Sequence, residues 1–296
     1  MLIIVLSAVC VLAFSFQSLF TKLYMDEYNN CDREMAEPVF SAVYGLFIAI
    51  ASLCTGGGAF SPSFQTIVFG LMNGIVLLVY NYSIIKAGKL GSYSFMMIMN
   101  MFGGIIVPII VGVLFLNETL SLMQIVAIMI MLVAMTIMNM EKGCMRGFDK
   151  GYLLWCIILF MANGLYGALM NTQATVRNGN ERTEMLVILF AFSSLTAISK
   201  EIICGRGARM LSGLRMGRKS FVYLLICCVS ATAGANLILF LFSKMDAGVI
   251  CTINNGGVLI LSFLYSFILF KEKPNHRQAF GMILAVISIV LVNIST

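Results

Sequence analysis

Ten apolar runs, most of them close to twenty residues long, follow one another along this chain of 296 residues. They occupy 2–22, 38–54, 64–86, 92–116, 120–139, 152–173, 185–203, 221–243, 248–270 and 279–293. A helix needs about 20 apolar residues to cross a hydrocarbon layer of about 30 Å. Lipid offers no water to an unpaired peptide group, so only helices and closed barrels cross it. Barrel strands would alternate polar and apolar residues in stretches of about ten, and these runs do not alternate. The expectation is an all-α integral membrane protein with ten transmembrane helices. Composition agrees: 60% of residues are hydrophobic, 11% are charged, and mean hydropathy is +0.97. A soluble domain carries about 25% charged residues. A soluble enzyme, a disordered chain and a nucleic-acid-binding module are therefore excluded.

The net charge of +6 reads as topology, because the basic residues sit in the loops. Sixteen of the 19 Lys and Arg fall in the loops after the odd-numbered runs. The positive-inside rule then places those loops in the cytoplasm and both termini outside. The chain opens on Met1-Leu2-Ile3-Ile4-Val5-Leu6 without a basic segment, which reads as the first span and not as a cleavable signal. The nine Cys lie mostly within apolar runs and read as small apolar fillers. The single His276 has no companion ligands at metal spacing, and no phosphate-binding or nucleophile-elbow motif occurs. No catalytic residue, cofactor or metal is therefore expected, and the protein is read as a non-enzyme.

The chain also repeats itself. Asn100, Gly103, Glu118, Gln124 and Asn139 recur at a constant offset of 154 as Asn254, Gly257, Glu272, Gln278 and Asn293. Runs four and five thus match runs nine and ten, and the repeating unit is five spans. An odd number of spans turns the second copy upside down relative to the first. The expected organisation is one five-helix repeat over 1–141 and an inverted one over 151–296. Inverted repeats are a recurrent plan of secondary transporters, because two such halves can exchange conformations around one central site.

With this duplicated signature the chain resembles the drug/metabolite transporter superfamily, in its EamA-like branch. The hallmark is a Glu ending the fourth span of each half, a Gln six residues on, and a small residue beyond. Here it reads Glu118, Gln124 and Ala127, then Glu272, Gln278 and Gly281. Pro108 stands where the family commonly has a fourth-span proline, and Ser262 replaces it in the second half. The resemblance implies transport of a small metabolite. It also implies cytosolic termini, as in related eukaryotic carriers, the opposite of the charge count.

Every acid lies near a span end, and none sits in mid-membrane where a proton relay would be expected. The candidate substrate-binding residues are therefore neutral: Asn163, Tyr166, Gln17, Asn100, Asn254, Asn236 and Tyr82. Asn163 and Tyr166 are three apart on one helical face near the middle of a span. Asn100 and Asn254 each precede their Glu by 18 residues, about 27 Å of helix. These amides can equally serve as interhelical glue. Pro108 should free one backbone carbonyl, facing a cavity or met by a neighbouring helix. Glu118 and Glu272, at span ends, are expected to fix loops.

The reading is a multi-pass protein of the cell (inner) membrane that moves a small metabolite by alternating access. An amino-acid or related metabolite exporter is favoured. The alternative is an importer of a sugar, nucleoside or quaternary amine. A membrane scaffold or membrane enzyme is the reading of a different class. Expected partners are the metabolite, membrane lipid and a second copy in a homodimer, with no nucleic acid.

Overall fold

In the computed structural model, residues 2–32, 34–58, 60–91, 93–139, 150–175, 181–269 and 276–294 are described. Glu272 and the junction between the two expected repeats, 140–149, lie outside the described residues. The described residues form eleven helices and no strand. In order these are α1 Leu2–Asp32, α2 Ala36–Thr55, α3 Phe64–Leu90, α4 Tyr93–Phe115, α5 Leu122–Asn139 and α6 Lys150–Thr175. They continue as α7 Arg182–Ile203, α8 Gly207–Gly213, α9 Arg218–Phe242, α10 Ala247–Ile268 and α11 His276–Ile294. Among the described residues, nine of these helices are long and apolar enough to cross a membrane. The run expected at 120–139 is shorter, with an apolar stretch of Leu122–Met138. The chain is thus an all-α, multi-pass membrane protein by length and composition.

By contact the chain forms two units. One comprises Met1–Val11, Val76–Gly179 and Ile238–Thr296. It holds α4, α5, α6, α10 and α11 whole. Lipid gives helices no hydrophobic reason to associate, so close approach through small residues must hold them. Gly103 of α4 lies under the Phe160 carbonyl of α6, and Gly164 of α6 lies under Val107 of α4. In the α5–α11 pair the Ser288 hydroxyl donates to the Ala127 carbonyl at 2.6 Å. Val11, Ala127, Val249, Ile253 and Val292 close a small core beside it.

The second unit comprises Leu12–Ile75 and Asn180–Leu237. Its α2 and α7 touch at Gly45, where a Cβ would come within 2.8 Å of the Phe190 carbonyl. The Ser194 hydroxyl donates to the Ala42 carbonyl beside it at 2.7 Å. Here α1 runs ten residues past its expected end at 22. Tyr24 and Tyr28, one turn apart, are buried with Met35, Val39, Leu224 and Cys228, and Asp26 takes the exposed face. The acids of this segment therefore sit on a helix and not in a loop. The short α8 lies within the arginine-rich stretch after α7. Met210 joins the same core, and Arg209 pairs with Glu34 at 2.7 Å.

Glu181, only 6% exposed, holds the start of α3. Its Oε2 accepts from the Ser63 backbone N–H at 2.8 Å and from the Ser63 hydroxyl at 2.7 Å. A helix start otherwise leaves unpaired N–H groups. Glu181→Ala is expected to cost about 1–3 kcal/mol, read as a lower unfolding temperature in detergent.

Candidate functional site: an amide cluster on three uncharged spans

Proline at 108 removes the N–H that the Gly104 carbonyl would accept four residues back. That carbonyl is met from another helix: Asn255 Nδ2 of α10 donates to it at 3.4 Å. Beside it, Asn163 Nδ2 of α6 donates to the Asn100 carbonyl at 2.7 Å. The Asn100 side chain, 9% exposed, donates from Nδ2 to the Tyr80 hydroxyl of α3 at 3.5 Å. A Cβ at Gly104 would lie 2.8 Å from Asn163 Nδ2 and 3.6 Å from Asn255 Nδ2. The absence of a side chain at Gly104 is thus what lets the two amides approach one point on α4.

A backbone carbonyl only accepts, so the amide nitrogens of Asn163 and Asn255 must face it and their oxygens must face away. Among the described residues no donor meets Oδ1 of Asn163 or Asn255, and Asn100 Oδ1 is buried without a partner. Tyr166 is three residues after Asn163 on α6 and half-buried. No charged residue occurs in 93–115, 151–175 or 247–268. The site is polar, uncharged and in mid-span.

Of the residues expected from sequence, Asn100 and Asn163 therefore come together, with Tyr80 and Asn255 completing the group, and Tyr166 lies one turn along α6 from Asn163. Asn254 belongs to the same unit but turns toward α1: its Oδ1 faces Cys10 Sγ at 3.9 Å. It borders a narrow cleft with Ser7, Cys10 and Ile253 that has no room for a water molecule. Gln17 and Asn236 belong to the other unit. Gln17 Nε2 donates to the Tyr44 hydroxyl at 2.8 Å, and Asn236 Nδ2 donates to the Thr232 carbonyl at 2.8 Å. Tyr82 is 52% exposed, edge-on to Trp155 at 5.3 Å and under Lys86 Nζ at 5.3 Å. An aromatic and a lysine in that arrangement suit the membrane–water interface.

Glu118 fixes a loop, as its position at a span end predicts. Oε1 accepts from Asn171 Nδ2 of α6 at 2.7 Å, and Oε2 accepts from the Ala247 N–H that opens α10 at 2.8 Å. Asp246, in the N-cap position of α10, makes no side-chain cap bond, so Glu118 does the capping. Burial pushes the Glu118 carboxyl above the usual range, the Asn171 and Ala247 donors oppose that, and the Asp246 carboxylate adds to it. Burial also raises Asp246.

Fold and site together define a polytopic helical membrane protein with a neutral polar cluster in mid-span. No family model matches the chain, and no curated protein matches it. Among solved structures 29 chains match. One, described only as the crystal structure of a protein, aligns with a TM-score of 0.66 at 14% identity. The alignment covers 98% of this chain and 99% of that one. At this identity the likeness is one of fold.

Proposed function

We propose that the protein is a secondary transporter of the drug/metabolite type, working by alternating access. It exports an amino acid or related small metabolite across the cell (inner) membrane. The observation that carries this reading is the cluster of Asn100, Asn163 and Asn255 on three helices that bear no charge in mid-span. Polar groups at that depth are costly in lipid, and a cluster with unmet acceptors has a reason to exist if a polar cargo visits it. The offset of 154 between halves supports two inverted repeats. In that plan α5 is the tenth span, because 17 residues still reach the lower limit for crossing.

The test is counterflow in proteoliposomes loaded in turn with amino acids, sugars, nucleosides and quaternary amines. Amino-acid exchange that falls about tenfold or more in Asn163→Ala, with the variant still folded, is the expected result. Exchange confined to another class reassigns the cargo. No exchange of any class, with folded protein, overturns transport.

A further inference from the structure

The stretch from the end of α7 to the start of α9 carries Lys200, Arg206, Arg209, Arg215, Arg218 and Lys219. Two of these bases are neutralised within their own unit. Arg206 pairs with buried Glu201 at 2.9 Å, and Arg209 pairs with Glu34 at 2.7 Å. Among the described residues, no carboxylate pairs with Arg215, Arg218 or Lys219, and all three are exposed. Three unpaired cations thus crowd the point where α9 begins.

Their surroundings are apolar. The first turns of α9 have two faces. Leu224, Cys227, Cys228 and Ala231 are buried. Phe221, Val222, Leu225 and Val229 are exposed, and they follow Arg218 by three, four, seven and eleven residues. At 3.6 residues per turn those positions share one face. Arg218 therefore heads a stripe of exposed apolar side chains about 16 Å long, roughly half of the hydrocarbon thickness. Just before it, the Tyr28 hydroxyl donates to the Gly213 carbonyl at 2.9 Å and Met210 is buried, which pins α8 to the unit. Leu211 and Leu214 of that segment stay exposed beside Arg215.

Cations alone suit any anion, and an apolar stripe alone suits any lipid. Cations at the head of an apolar stripe suit a molecule with an anionic head and a hydrocarbon tail. We infer that Arg215, Arg218 and Lys219 hold the headgroup phosphate of an anionic phospholipid whose acyl chain lies along Phe221, Val222, Leu225 and Val229. The planar arginine fork matches phosphate oxygens. An acidic soluble protein or a free phosphate would leave the stripe uncovered. The surface lies wholly within the second unit. The inference rests on the membrane reading and not on transport or on the amide cluster.

The test is thermal unfolding of the purified full-length protein in mild detergent. The probes are dioleoyl phosphatidylglycerol, dioleoyl phosphatidylcholine and glycerol phosphate, the last a headgroup without chains. Phosphatidylglycerol is expected to raise the unfolding temperature at lower concentration than phosphatidylcholine, and glycerol phosphate to leave it unchanged. In 1 M sodium chloride, where charges are screened beyond about 3 Å, the preference should vanish. Each Lys or Arg near an anionic surface contributes about fivefold in affinity. Arg215→Gln, Arg218→Gln and Lys219→Gln together should therefore weaken phosphatidylglycerol about a hundredfold. Lys86→Gln, Lys150→Gln and Lys244→Gln together remove the same charge from the other unit and should keep the preference. Arg218→Gln alone, with an expected loss of about fivefold, and the salt series keep the test alive if the first triple variant does not fold.

Equal responses to the two lipids overturn the inference, as does phosphatidylglycerol binding unchanged in the first triple variant. Equal losses in the two triple variants overturn it too, because net charge would then be the cause. A shift from glycerol phosphate as large as that from phosphatidylglycerol assigns the cations to soluble phosphate and removes the lipid.

Discussion

Gly103→Ala is expected to destabilise the protein by about 1–3 kcal/mol or more, in the range of overpacked cores. The new methyl would fall on the Phe160 backbone carbonyl, with the Phe160 Cα 2.9 Å away. A side chain could swing aside, but helical backbone cannot, so α4 and α6 must separate along their contact. That contact also carries the 2.7 Å bond from Asn163 to Asn100, and ligand binding should fail with it. Gly217→Ala, with nothing within 4 Å of its Cβ, is the neutral control. Thermal unfolding in detergent reads both. Equal unfolding temperatures for the two variants would refute the close α4–α6 contact.

Glu118→Ala is expected to cost about 2–4 kcal/mol, because it strands two donors at once. The Asn171 side chain is fully buried and its Oδ1 already lacks a partner. The Ala247 N–H opens a helix and has no substitute cap. Glu118→Gln should fall between, since a single amide oxygen serves one donor well. The pH dependence has a definite sign. A carboxyl raised in the folded state stabilises fully below its unfolded value of about 4.3. That contribution is lost as pH rises through the raised folded value. Wild type is thus expected to lose stability from mildly acid toward neutral pH, and Glu118→Gln to lose less. Asp246 shifts the same way and supplies the remaining slope. An identical pH profile in Glu118→Gln would show that Glu118 does not titrate there.

The helical spans were legible because twenty apolar residues in lipid have almost one solution. What lay between them was not. Asp26 reads as loop because it is charged and lies past the apolar run, yet buried Tyr24 and Tyr28 on the opposite face keep α1 helical to Asp32. The site was half legible. Asn163 stands out as an amide in mid-span, Asn100 as one a helix length from Glu118, and Pro108 announces a freed carbonyl. Its partner Asn255 depends on the register of α10 against α4, and no local pattern encodes that. Tyr80 and Tyr82 show the same limit within one helix. Two residues apart, they point about 200° apart around α3. On a helix apolar on every side, sequence cannot say which faces inward. Tyr80 meets Asn100, and Tyr82 faces Trp155. Gln17 was a fair candidate by type and depth, but the Tyr44 hydroxyl engages its amide within its own unit.

Pro108 has no counterpart at the matching position, which is Ser262. The missing N–H is therefore built into α4, whereas α10 is helical and proline-free there. If the proposed alternating access of two inverted halves holds, the halves would trade conformations but could not trade this defect. The two access states would then not be mirror images and would differ in free energy, so an unloaded carrier would rest unequally between them. At equal concentrations such a bias drives no net flux. It would set different half-saturation concentrations on the two faces of the membrane. Pro108→Ser brings the two positions to the same residue and should draw those two values together.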